Sequence, residues 1–272
     1  MKLIKKAIEM GNGAAVYVPK EYAGRQVVII LPEGIVEIKR RIIERLEDYM
    51  ENIVGVYLFG SYARGESHSL SDIDVLIITQ NEAKELKHLF TDMDARVSTL
   101  EGIRKSIQRL PAISLPIIRE AKTLINPVLL EELKKSKINY KNFKWNFDDI
   151  KRVIKIIEDF IELDEEDIGL SHIYSLFMRA RICYMMDGLL RDRQFSNRGL
   201  QKELAKRGLD KGKYEEYYDV YRKVRDDEEV EGKIDKDKIT QFINIIRKYA
   251  SELENESKKK GWKKELNPYL KR

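Results

Sequence analysis

Two short apolar runs constrain this chain more than any other feature. Ile53–Phe59 stops at Gly60-Ser61, and Ile73–Thr79 opens directly behind Asp72. Apolar runs of this length bounded by glycine, serine and aspartate are expected to be strands. A glycine at the end of the first lets backbone approach a ligand closely. Ser61 then offers a hydroxyl and an N–H at the start of a turn, a setting expected to be a helix N-terminus and suited to phosphate. Strand side chains alternate, so Asp72 and Asp74 share one face while Ile73 and Val75 take the other. Two carboxylates so placed repel one another unless a cation lies between them, and hard oxygen ligands suit Mg²⁺.

A third carboxylate is expected from a neighbouring strand. In Met93–Ser98 the apolar Met93, Ala95 and Val97 alternate with Asp94, Arg96 and Ser98, which turns Asp94 away from the core. Asp92 has the same parity and is the reserve candidate. Arg64 stands close enough in sequence to help with phosphate, or to be a surface arginine. His68, between the two halves of the motif, is expected in solvent.

Around this stretch strands and helices alternate, which indicates a layered fold. A helix is expected from Ile35, Ile38, Ile42, Leu46 and Tyr49, and others over Glu82–Phe90, from Leu100 and from Pro127. Pro111 and Pro116 interrupt the pattern, and Thr123–Ile125 forms a short strand. Residues 137–146 are polar and aperiodic, as in a linker. Beyond them four helical stripes follow: Ile150 to Phe160, Leu170 to Tyr184, Tyr214 to Val224, and Ile239 to Leu253. They suggest an antiparallel bundle. The aromatic stripe at 214–221 is expected in the core rather than as a stacking platform. Before all this, residues 1–33 read as three short strands, Leu3–Ile8, Ala14–Val18 and Gln26–Leu31, with a Gly-Asn-Gly turn and a helical turn after Pro19. So small a piece must pair with another copy or pack on its neighbour.

The fold class is therefore α+β: a mixed sheet with helices, preceded by a small β module and followed by an all-α bundle. The expected divisions are 1–33, 34–136, 147–256 and a basic tail, 257–272. Hydrophobic residues at 43% exclude global disorder. No apolar run approaches the roughly 18 residues of a membrane span, and no secretory signal opens the chain. The lone Cys183, in an apolar helical pattern, is expected to be a buried inert thiol, and the location cytoplasmic. The surplus charge of +5 sits in the tail, where Lys258, Lys259, Lys260, Lys263, Lys264, Lys271 and Arg272 face Glu265 alone. With Trp262 and Tyr269 interleaved, this tail suits contact with nucleic acid, or simple solvation.

Gly60-Ser61, ten intervening residues, then Asp72-Ile73-Asp74 resembles the signature of the DNA polymerase beta superfamily of nucleotidyltransferases, in its minimal and kanamycin-nucleotidyltransferase-like branches. The resemblance is tight over 57–78 and looser over 34–126. It implies transfer of a nucleoside monophosphate from an NTP, ATP foremost, to a hydroxyl of a protein, RNA or small molecule, with release of pyrophosphate. It implies that Gly60 and Ser61, with Arg64, bind the nucleotide. Asp72, Asp74 and Asp94 would be catalytic and hold Mg²⁺, two ions being expected. The helical segment resembles the HEPN-type bundles that accompany such enzymes, and is expected to bind the acceptor, with Arg222 and Arg225 lining the cleft or forming surface ion pairs. Its only histidine, His172, lacks the upstream arginine of HEPN ribonucleases. Residues 1–33, through Gly11-Asn-Gly-Ala-Ala-Val-Tyr-Val-Pro-Lys, resemble an AbrB-type swapped hairpin, which implies a homodimer or DNA binding. The alternative reading is a non-catalytic nucleotide-binding regulator or antitoxin.

Overall fold

A computed structural model of the 272-residue chain describes residues 8–27, 34–67, 71–163, 168–226, 228–230 and 232–261. Two three-residue strands, β1 (Ile8–Met10) and β2 (Gly13–Ala15), form an antiparallel hairpin that pairs Met10 with Gly13. Gly11 lies at φ 58° in its turn, a conformation glycine adopts without strain. The expected turn is present, but β2 ends at Ala15 rather than Val18. The helical turn after Pro19 spans Lys20–Tyr22. Most of the expected strands Leu3–Ile8 and Gln26–Leu31 falls outside the described residues.

Helix α1 (Ile35–Leu46) buries Ile38, Ile42 and Leu46, which recur every four residues on one face. Full burial of each contributes about 1.5–3 kcal/mol relative to exposure. A 3-10 segment, Glu47–Asn52, leads into β3 (Ile53–Phe59). The single turn α2 (Gly60–Arg64) follows, then β4 (Asp74–Thr79), a 3-10 segment over Lys84–Phe90, β5 (Asp94–Thr99) and α3 (Leu100–Arg109). Next come α4 (Pro111–Glu120), β6 (Lys122–Ile125) and α5 (Pro127–Lys134).

The four strands form one mixed sheet in the order β5-β4-β3-β6. β3 is antiparallel to both neighbours, and β4 and β5 are parallel. Alternation decides the layers. Val56, Leu58, Val75 and Ile77 pack with Ile38, Ile42, Leu46, Leu86 and Phe90 on one face. Tyr57, Phe59, Leu76 and Ile78 pack with Ile107, Leu115, Ile118 and Leu130 on the other. A sheet buried on both faces reads as continuous apolar runs, as these strands do. Asn126 ties β3 to α5: its Nδ2 donates to the Val54 carbonyl at 2.9 Å, its carbonyl accepts from the Tyr57 hydroxyl at 2.9 Å, and its Oδ1 caps Leu129 N–H at 3.0 Å.

Pro116 does not break the chain as expected. Pro111 starts α4, and Pro116 lies within it. Proline there removes one helical hydrogen bond, but Ala112, Leu115, Pro116 and Ile118 are all buried, and that packing holds the helix.

Residues 137–146 are not a linker. Tyr140–Phe143 is a 3-10 turn, and α6 (Lys144–Leu163) starts at once. Phe143 and Phe147, four apart, are fully buried, and the intervening lysine and asparagine hid this aromatic stripe. A two-residue strand, β7 (Ile168–Gly169), precedes α7 (Ser171–Arg191). Then come α8 (Asn197–Lys206), α9 (Lys211–Arg225), β8 (Lys233–Ile234) and α10 (Lys236–Gly261). β7 and β8 pair antiparallel. Among the described residues five helices thus follow residue 143, where four were expected. One apolar core runs without a break from Tyr57 of the sheet through Phe147 to Leu253 of α10.

Tyr214, Tyr217 and Tyr221 are buried, as the core reading requires, with Phe177 against Tyr214, Tyr218 and Tyr221. Cys183 is fully buried. α10 carries Lys258, Lys259 and Lys260 as helix, and the rest of the basic tail falls outside the described residues. Among the described residues no helix is long and apolar enough to cross a membrane.

Candidate active site

The pairing of β3 with β4 sets Phe59 opposite Asp74, so the chain leaves β3 directly beside that carboxylate. Gly60 then takes φ 70°, and a Cβ at this position would collide with Asp74 Oδ2. Both the left-handed backbone and the close approach require glycine. Gly65, at φ 69°, ends the one-turn helix with nothing within 4 Å of an added Cβ.

Parallel pairing of β4 with β5 sets Asp94 beside Asp74. Asp74 is partly buried. Burial first, then the Asp94 charge, push its carboxyl up to about 7; Asp72 adds to the rise, while Arg96 and Arg64 oppose it. Asp72 and Asp94 are both exposed, and both charges reach Asp74. Arg96 approaches Asp94 at 3.6 Å and covers the Phe59 ring at 5.1 Å. Asp92, the reserve candidate, is occupied elsewhere. Arg45 of α1 donates to both its oxygens, at 2.5 and 3.1 Å, and Arg41 lies at 3.8 Å.

Arg64 is not a surface residue. Its Nε donates to Glu66 Oε2 at 2.9 Å and its Nη1 to Glu120 Oε2 at 2.8 Å. Glu120, at the end of α4, is nearly buried, and its Oε1 accepts the Gly60 N–H at 2.9 Å. The first N–H of the phosphate-type turn therefore already has a carboxylate partner. Glu120 was not legible in the sequence, where it is one acid closing an apolar run. Arg222 donates to Asp219 at 2.9 Å and lies over Tyr218, the expected ion pair. Arg225 bonds Asp226 at 2.7 Å. Burial opposes its charge, but Asp226 first, then Tyr221 and Asp72, stabilise it. His68 falls outside the described residues. His172 packs edge-on against Phe160, and its Nδ1 lies 3.1 Å from the Gly169 carbonyl.

Among the described residues no three carboxylate, imidazole or thiolate side chains stand close enough to enclose a metal by themselves. The donor chemistry nevertheless fits a hard cation. Asp74 is made costly to ionise first by burial and then by the charges of Asp94 and Asp72, and a divalent ion would relieve that cost. Mg²⁺ takes few protein ligands and completes its shell with water and substrate phosphates.

Comparison with known proteins agrees with this geometry. The nucleotidyltransferase domain family matches residues 39–163, so the match takes in α6 as well as the sheet. A protein of Methanocaldococcus jannaschii, named as a candidate protein adenylyltransferase, is 32% identical over 127 residues, which is 44% of this chain and 82% of the relative. Two solved structures align over 98% of their own lengths. One, a toxin-antitoxin with AMP-PNP, is 23% identical over 45% of this chain with a TM-score of 0.28. The other, spectinomycin adenyltransferase AAD(9) from Enterococcus faecialis with ATP and spectinomycin, is 14% identical over 82% with a TM-score of 0.41. At those scores neither adds to the assignment, which rests on the sequence matches. The chain belongs to the nucleotidyltransferase domain family, and it is a nucleotidyltransferase.

Proposed function

We propose that this enzyme transfers AMP from ATP to a hydroxyl of an acceptor, with Mg²⁺, and releases pyrophosphate. One observation carries the reading: Gly60 is left without a Cβ against Asp74, and Asp94 is in register beside it. A phosphate-accommodating turn and a carboxylate set thus meet at one strand end. Gly60 gives the triphosphate room, and Ser61 supplies a hydroxyl and an N–H at the turn. Arg64 stands behind them, held between Glu66 and Glu120. Asp72, Asp74 and Asp94 would hold the metal, which when bound lowers the pKa of the attacking hydroxyl and neutralises the leaving pyrophosphate. The acceptor oxygen forms a bond to the α-phosphorus as the bond to pyrophosphate breaks, and the hydroxyl proton passes to the carboxylate face.

Adenine and a protein acceptor are favoured by the name of the archaeal relative; RNA and small hydroxyl compounds are the other acceptor classes. In this reading residues 34–136 supply the transfer chemistry, and the HEPN-like helices of 147–256 receive the acceptor, with Arg225 at the junction. The exposed AbrB-like hairpin pairs two copies, the basic tail touches nucleic acid, and the enzyme works in the cytoplasm.

The test offers α-³²P-labelled ATP, CTP, GTP and UTP, with Mg²⁺, to the purified protein alongside cell protein, RNA and small-molecule fractions. Label from ATP on protein is the expected result. Label from another nucleotide or on another fraction replaces the corresponding part of the proposal, and label nowhere rejects it.

A further inference from the structure

We propose that Asn197 is a positioning residue for the nucleotide, through which the helical region sets the phosphate turn by holding Glu66; this rests on Gly60, Ser61 and Arg64 being the nucleotide site. All four polar groups of Asn197 are engaged. Its N–H donates to Glu66 Oε1 at 3.3 Å, and its Nδ2 donates to Glu66 Oε2 at 3.1 Å. Its Oδ1 accepts from Arg181 Nη1 at 3.0 Å, and its carbonyl accepts from the Tyr214 hydroxyl at 3.2 Å. Asn197 is the first residue of α8, after the Ser196 cap, so its N–H has no partner within the helix and is free for Glu66.

Glu66 in turn grips Arg64, which Glu120 holds from the other side while also accepting the Gly60 N–H. A hydrogen-bonded path therefore runs from α7 through α8 to the glycine beneath Asp74. Both guanidinium groups lie over the Phe195 ring, Arg64 at 5.4 Å and Arg181 at 4.6 Å from its centre. Arg64 and Glu120 are mostly shielded from water, and Glu66 is a quarter exposed. Hydrogen bonds to charged groups so placed are stronger and better aligned than surface pairs. Without Glu66 in place, Arg64 keeps Glu120 alone of the two carboxylates that fix its guanidinium beside the turn. Mere docking of α8 onto the turn would not need Asn197 to bond both oxygens of the carboxylate that orients Arg64.

The decisive variant is Asn197→Asp. It keeps the shape, and an aspartate in the first turn of a helix is favourable, so α8 is retained. It sets two carboxylates against each other and pushes Glu66 off Arg64. Affinity for ATP with Mg²⁺ is measured directly by calorimetry, alongside thermal melting and label transfer. Asn197→Asp is expected to weaken binding about tenfold, the equivalent of one charge-assisted hydrogen bond, with an unchanged melting profile. Adding Glu66→Gln to Asn197→Asp restores a donor to the pair and is expected to bring affinity back to within about twofold. Should Asn197→Asp fold poorly, Glu66→Gln alone carries the same expectation of weaker binding. Wild-type affinity in these single variants, or weakening that Glu66→Gln does not rescue, overturns the proposal while leaving the nucleotide site intact. A wild-type protein that binds no nucleotide overturns both.

Discussion

Gly60 and Gly65 share nearly the same backbone angle, φ 70° and 69°, in opposite surroundings. An alanine in this left-handed region costs about 1–2 kcal/mol at either position, a few degrees of melting temperature for a chain this size. At Gly65 that is the whole effect, because nothing lies within 4 Å of the added methyl. At Gly60 the methyl meets the Asp74 carboxylate itself. Either Asp74 swings out or the turn moves, and both displace reacting groups. A shift of about 1 Å in such groups costs on the order of 10²-fold in rate. Gly65→Ala should therefore transfer label from α-³²P-ATP within about threefold of wild type. Gly60→Ala should fall by about 10²-fold or more, with stability lowered by a further amount that depends on how far Asp74 can move. Equal stability losses with equal, near-normal activities in the two variants would refute the claim that the turn is built against Asp74.

Asp94→Asn should cut transfer by about 10²-fold or more, while Asp92→Asn should leave it within about threefold, because Arg45 holds Asp92 on the α1 side; the reverse ranking in the same assay would exchange their roles. Burial pushes the Asp149 carboxyl up, but hydrogen bonds from Arg152 and Arg179 and their charges outweigh it and hold the group below its usual range. Its contribution to stability is thus present at neutral pH and lost as pH falls through the ordinary carboxylate range towards the lower folded value. Asp149→Asn should cost about 1–3 kcal/mol at pH 7, and melts repeated at acid pH should show that difference shrinking; a constant difference would exclude the ionic origin. Complete burial pushes the Cys183 thiol up to about 12, so a thiol reagent such as DTNB should leave the native protein unlabelled at pH 8 and react once denaturant is added. Rapid labelling of the native protein would contradict the packing of α7.

Much of this fold was legible because its strands are either unbroken apolar runs or strictly alternating. Ile53–Phe59 and the alternation in Met93–Ser98 give β3 and β5 to within a residue, and Asp-Ile-Asp ahead of Val75 marks the start of β4. Pro127 announces α5. What escaped the sequence depends on tertiary packing. Phe143 lies among lysines and asparagines and reads as linker until it is seen buried in one core with Phe147. α8 buries only Leu200 and Leu204, too few to make a stripe. Glu120, Glu66 and Asn197 were invisible as a group because their meaning lies in pairings across 60 and 131 residues. That Asp94 turns to the side of Asp74 was readable from the strand period, and the register pairs the two. The reason for glycine at position 60 was only half readable: close approach was expected, but the neighbour turned out to be Asp74.

The most direct test of the account compares wild type with Asp74→Asn, matched for folded fraction, in transfer from α-³²P-ATP with Mg²⁺, alongside γ-³²P-ATP. The account predicts that wild type transfers the α-label to acceptor and releases the γ-label as pyrophosphate. It predicts that Asp74→Asn, still folded and melting at or above the wild-type temperature at pH 8, does neither. A folded Asp74→Asn variant that transfers label at the wild-type rate would contradict it.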